Sequence, residues 1–174
     1  TDIAGSDYLF KEFISPELWS SIFSIAFAGG SLIGGIIISQ LVIKKPSIVS
    51  KLSLLMIVIC VSLQTVSYFV FLNNGYSTTI FLIAMTILML IMGLCLVFVN
   101  VPINTAIQKK IDINKYGKVS AALDIGSQGL IPLSTFLSGI VISSFGVGVL
   151  LLCCSVGLIL IEIIYILNKN AVLE

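Results

Sequence analysis

The sequence predicts an all-α membrane protein, a bundle of five transmembrane helices, and three observations predict it. The 174-residue chain is 58% hydrophobic and only 10% charged, with a mean hydropathy of +1.19. A soluble domain carries about 25% charged residues, so lipid must be the main solvent of this chain. Five apolar runs each reach the roughly 20 residues that a helix needs to cross a bilayer. The lysines then fall in alternate connections between those runs, as a multi-pass helical chain requires. The runs are too long and too continuous for the alternating strands of about ten residues that build membrane barrels.

The first run, Leu18 to Ile43, follows an acidic segment in which Asp2, Asp7, Glu12 and Glu17 face a single basic residue, Lys11. Pro16 stands where a helix starts. Inside the run, "AGGSLIGG" sets Ala26, Gly30 and Gly34 in one row of small residues and Ser31, Gly35 and Ser39 in another. In lipid, helices associate through close backbone approach, which small residues permit. The second run, Leu52 to Leu72, comes after "KKPSIVSK". The third, Thr79 to Val101, comes after the uncharged "NNGYST". The fourth, Val119 to Ser144, follows "QKKIDINKYGK" and repeats the small-residue spacing at Thr135, Gly139 and Ser143. The tight turn "FGVG" leads to the fifth, Val147 to Leu167, and "NKNAVLE" closes the chain. With five alternating helices, eight of the nine lysines share one side. The excess of lysine marks that side as cytoplasmic, with residues 1–17 outside and the C-terminus inside.

Two runs carry polar stripes. Thr86, Gly93 and Asn100 recur at seven-residue intervals with Asn104 one turn on, which places them on one helix face. Ser120, Asp124 and Gln128 recur every four residues, with Thr135 beyond. Runs two and five have few polar exceptions, Gln64 and Glu162 among them. This sorting predicts runs one, three and four in the interior and runs two and five towards lipid. Gly30, Gly34, Gly35 and Gly139 are the expected helix-packing residues. Asp124 and Glu162 are the candidate acids for ion coupling, because an ionised acid at mid-helix costs roughly 2.5–3.5 kcal/mol and tends to signal function. The plainer reading of Asp124, about 9 Å along a helix from Lys118, is an acid favoured by the helix start and nearby lysines. Glu162 has its own plain reading, snorkelling towards water or pairing with a lysine.

The four cysteines, Cys60, Cys95, Cys153 and Cys154, lie in apolar runs without a CxxC pair, and the chain has no His. They read as small packing residues, so no metal or other cofactor is expected. No acid pair or Ser/Lys constellation has useful catalytic spacing, so the chain does not read as an enzyme. No basic face supports nucleic-acid binding. All nine basic residues are lysine, and with the abundance of Ile and Asn this suggests an AT-rich genome.

The segment "PINTAIQKKIDINKYGKVSAALDIGSQGLIPLSTFLSGIV" resembles the C-terminal half of major facilitator superfamily transporters, in the drug and macrolide efflux or siderophore exporter branch. In that branch helix ten ends in a P-x-x-T-x-x-Q pattern, matched by Pro102, Thr105 and Gln108. A short basic loop and a G-R-V opening follow, matched by Gly117, Lys118 and Val119, with Lys where Arg is usual. Lysine keeps the positive charge but loses the planar fork for a phosphate or carboxylate. Pro132 and Gly139 match later positions of helix eleven. "SPELWSSIFSIAFAGGSLIGGIIIS" is similar to helix eight, with Ser39 where the family's loop motif has an acid. The resemblance implies that the five runs are helices 8–12 of a twelve-helix fold, that the chain is a fragment, and that helix seven and the N-terminal half are absent from it. It implies a bacterial cytoplasmic membrane protein, working with its N-terminal half in secondary active export of a small drug-like or siderophore-like amphipathic molecule by alternating access, an antiporter by coupling. Thr86, Gly93, Asn100, Asn104, Gln128 and Thr135 would line the substrate cavity. Pro102, Thr105, Gln108, Gly117 and Lys118 would form the cytoplasmic gate. The alternative is a non-transporting integral membrane protein, an assembly factor or channel subunit, in which the amides only bond between helices.

Overall fold

The computed structural model describes residues 16–41, 46–74, 78–111 and 113–167. The acidic segment before Pro16 and Lys11, Lys44, Lys45 and Lys169 lie outside the described residues. Every element among the described residues is an α-helix: α1 Pro16–Gln40, α2 Pro46–Asn74, α3 Thr78–Lys110, α4 Ile113–Phe145 and α5 Val147–Leu167. All five are long and apolar enough to cross a membrane, and the chain is a multi-pass helical membrane protein.

The helices are longer than the apolar runs that announce them. Hydropathy marks where lipid ends, whereas a helix ends where its backbone bonding ends. Thus α2 begins at Pro46 rather than at Leu52, because proline fits a first turn whose N–H groups are unbonded anyway. The third run was expected to end at Val101, but α3 continues through Pro102 to Lys110. Proline costs that helix one backbone bond without forcing it to stop. Most of "QKKIDINKYGK" is accordingly helical, belonging to the end of α3 and the start of α4. At 33 residues each, α3 and α4 rise about 50 Å, more than the roughly 30 Å of hydrocarbon. The α4–α5 turn is tight because Gly146 takes φ +82°, a left-handed conformation in which a Cβ clashes. Its N–H donates to the Ile142 carbonyl at 3.0 Å and closes the helix end. Ile142, Val147 and Leu150 form a buried cluster at this turn.

α1 and α3 run parallel. Phe23 packs with Phe81, Leu82 and Met85, and further along Gly30 and Gly34 lie on the backbone of Leu90 and Leu94. α2 runs antiparallel to both its neighbours. Its late residues Tyr68 and Phe71 meet the start of α3, with Phe71 stacked on Phe81 at 4.6 Å, while Ile57 and Val61 meet Cys95. On its other side Tyr68 and Phe69 press on Gly148, and the Thr65 hydroxyl lies 3.4 Å from the Leu151 carbonyl. The packing order is therefore α1, α3, α2, α5, α4, an open row. One end of the row carries every described lysine: Lys51, Lys109, Lys110, Lys115 and Lys118.

This order corrects the sorting drawn from the polar stripes. α2, expected towards lipid, is central and packs on both α3 and α5. α4, expected inside, packs chiefly on α5 and is the most exposed helix. The polar count misleads because interior position depends on shape as well as polarity. α2 buries Ser50, Cys60, Gln64 and Thr65, small or slender groups spaced along one helix.

Candidate functional site

Among the glycines of the described residues, the closest backbone approach lies at the middle of the expected cavity stripe. A Cβ added at Gly30 would fall on the Leu90 carbonyl oxygen, and one added at Gly93 would fall on the Phe27 carbonyl oxygen. A Cβ at Gly34 would lie 3.0 Å from the Leu94 carbonyl oxygen and 3.4 Å from Val97 Cβ. So close an approach of two backbones is where weak Cα–H···O attraction between facing helices is expected. Gly93, expected on the cavity surface, is thus covered by the backbone of α1. Gly35 and Gly139, expected as packing residues, meet nothing within 4 Å of an added Cβ. Spacing alone ranks both glycine rows of α1 equally. Which row packs is decided by the rotation of the whole helix.

Two hydroxyls of the stripes are turned inward on their own helices. Thr86 donates to the Leu82 carbonyl at 2.8 Å, and Thr135 to the Ile131 carbonyl at 2.9 Å. Such back-bonding to the preceding turn satisfies a hydroxyl donor in lipid. The amides differ: Asn100, Asn104 and Gln128 are exposed. An amide offers two donors and an acceptor. These three side chains are therefore equipped to meet a polar ligand, water or a further helix. Asp124 is exposed on the same α4 stripe.

The lysine-bearing ends of α3 and α4 are joined by a bond that the P-x-x-T-x-x-Q spacing only half contains. Gln108 Nε2 donates to the Tyr116 hydroxyl oxygen at 3.0 Å, across the break at residues 111–112. Tyr116 is absent from the sequence-based site, since nothing in the P-x-x-T-x-x-Q spacing specifies an acceptor for the glutamine. Pro102 is buried inside α3, and three residues on Thr105 donates to the Val101 carbonyl at 2.8 Å. Gly117 and Lys118 are exposed in the first turns of α4. Pro132 interrupts α4 and removes the N–H that would bond the Gln128 carbonyl. The two hydroxyls that follow, Ser134 and Thr135, both donate to the Ile131 carbonyl instead. Gln128 thus brings to one position an exposed amide and a carbonyl whose usual helical donor is replaced by proline.

Glu162 and Gln64, read from sequence as polar exceptions on lipid-facing helices, are 5% and 6% exposed. Glu162 lies on α5 within reach of the charge of Lys51 from α2. Cys60 and Cys95 are buried free thiols, while Cys153 is exposed. Among the described residues no group of three or more His, Cys, Asp or Glu is placed to hold a metal ion. Comparison with family models, with curated proteins and with solved structures returns no match for this chain.

Proposed function

We propose that this chain forms part of a secondary active transporter of the major facilitator type, which exports a small amphipathic molecule by alternating access. The observation that carries the reading is the set of exposed amides Asn100, Asn104 and Gln128 on membrane-spanning helices. Polar groups on spanning helices are costly against lipid and suit a water-filled path. Two features support the assignment. The motif residues Pro102, Thr105, Gln108, Gly117 and Lys118 collect at the lysine-bearing end, where the resemblance places a cytoplasmic gate. The glycine-packed pair of α1 and α3 gives a rigid wall, and the Gln108–Tyr116 bond ties α3 to α4 at the gate. Rigid units with defined hinges are what rocking between two access states needs. Lysines facing the cytoplasm orient the chain with its C-terminus inside.

The test uses the full-length protein with its native cysteines replaced by serine and a cysteine placed at Asn100. A water-borne thiol reagent labels that position, and exported amphipathic compounds protect it in a concentration-dependent way. A position that no reagent reaches in any transport condition overturns the assignment. It then favours the non-transporting membrane protein, in which Asn100 bonds only to a neighbouring helix.

A further inference from the structure

The seam between α2 and α5 contains Glu162, one of the two acids that the sequence marks as candidates for ion coupling. Glu162 lies five residues before the end of α5 at Leu167. It is 5% exposed, and neither of its oxygens has a hydrogen-bond partner. An ionised carboxylate buried in this way demands a cation or donors. The group facing it from α2 is Lys51, and the titratable group on α5 itself is Tyr165. Lys51 carries its ammonium 5.4 Å from the centre of the Tyr165 ring, a cation–π contact, rather than on the carboxyl. Glu162 and Tyr165 are three residues apart on one helix face, so a small swing of the flexible lysine stem separates the two positions.

A permanent Glu162–Lys51 ion pair would place the ammonium on the carboxylate oxygens, which stand without a bond. The arrangement suits a neutral carboxylic acid with the lysine parked on the ring. We propose that Glu162 is a proton-binding site within the α2–α5 seam, and that Lys51 exchanges between the Tyr165 ring and the Glu162 carboxylate as the proton binds and leaves. Proton uptake forms one O–H bond on the carboxylate and releases the ammonium to the ring. Proton loss breaks that bond, returns the proton to water at the lysine-bearing end, and draws the ammonium back. No other bond changes. The proposal deepens the ion-coupling candidacy of Glu162 in the transport reading, but its test reads occupancy by a proton and needs no exported molecule, so the two can fail separately.

The experiment uses full-length protein in its membrane, treated with an apolar carbodiimide that attacks protonated carboxyls, with the modified peptides read by mass spectrometry. Exposed Asp124 in the same molecule is the internal reference. Glu162 modification, read against its own unmodified peptide, is expected to fall by about tenfold or more between mildly acid and mildly alkaline pH. Glu162→Gln, neutral and of the same shape, removes the label at that position alone. Lys51→Met, which removes the competing cation, preserves the label at the alkaline end where the parent has lost it. The proposal is overturned if Glu162 stays unmodified at every pH while Asp124 reacts, or if its label ignores pH. It is overturned equally if Lys51→Met leaves the profile where it was.

Discussion

Gly30→Ala tests the central packing claim with one methyl group. The added Cβ would fall on the Leu90 carbonyl oxygen, closer than the 3.0 Å that real Cβ atoms keep, so α1 must retreat from α3. A retreat of up to about 1 Å forfeits a quarter to a half of the dispersion energy along the seam. Overpacking of this kind costs about 1–3 kcal/mol, and each lost Cα–H···O contact adds about 0.5–1 kcal/mol. Alanine returns about 1 kcal/mol through its better helix propensity. The net expectation is a loss of about 1–3 kcal/mol, or roughly 5- to 150-fold in the unfolding constant. Gly35→Ala is the matched control on the same helix, since nothing lies within 4 Å of its added Cβ. It keeps the propensity gain and pays no steric cost. The assay is reversible unfolding of the full-length protein in mixed micelles, followed by helical circular dichroism. If Gly30→Ala and Gly35→Ala unfold together, the close approach of α1 and α3 is wrong.

Further outcomes follow from single contacts. Gly93→Ala opposes the Phe27 carbonyl in the same seam, so combining it with Gly30→Ala should cost less than the sum, because one retreat relieves both clashes. Gly146→Ala forces a Cβ into the left-handed region at φ +82° and should destabilise the same unfolding transition by about 1–2 kcal/mol. A double-mutant cycle of Gln108→Ala and Tyr116→Phe should return a coupling of about 0.5–1.5 kcal/mol for the 3.0 Å bond; zero coupling refutes the bond. Single cysteines at Gln128 and Thr135 should take up a water-borne thiol reagent, while those at Ile125 and Phe136, exposed beside the stripe, should not. A flat labelling profile along α4 refutes a two-faced helix.

Five helices were legible in the sequence because the signal is nearly one-dimensional. Runs such as Thr79–Val101 must satisfy their backbone internally in lipid, and only a helix does so within one segment. The Gly30 and Gly34 row was legible as a packing row for a related reason, since few residues let two backbones touch. What stayed hidden depends on rotation and neighbours. Gly35 has the same local spacing as Gly34 and meets nothing. The stripe through Thr86, Gly93 and Asn100 reads as one polar face, yet its glycine is covered by α1. Gln64 and Glu162 read as isolated exceptions, and only the placing of α2 between α3 and α5 shows that both are buried. Tyr116 could be found by asking what an exposed Gln108 would bond across a two-residue break, a question that motif spacing does not raise.

The exposed amides constrain what can surround the described helices. Leu130, Leu133 and Phe136 on α4 are exposed and apolar, and lipid suits them as well as protein does. Gln128 is exposed on the same helix, with a backbone carbonyl whose usual donor Pro132 has removed. Asn100 and Asn104 repeat the pattern near Pro102 on α3. Each of these prolines frees a carbonyl one turn before it, and hydrocarbon offers that oxygen nothing. Proline inside a membrane helix is tolerated where other groups or water restore the bonding. Two helices that each combine a proline with exposed amides therefore have a side that belongs against water or polar protein. A lipid-facing α4 would need those amides to be silent, and replacing Gln128 with leucine would then leave function and stability unchanged. A polar-facing α4 loses solvent access or helix contact on that replacement, while the same change at exposed Ile125 costs little.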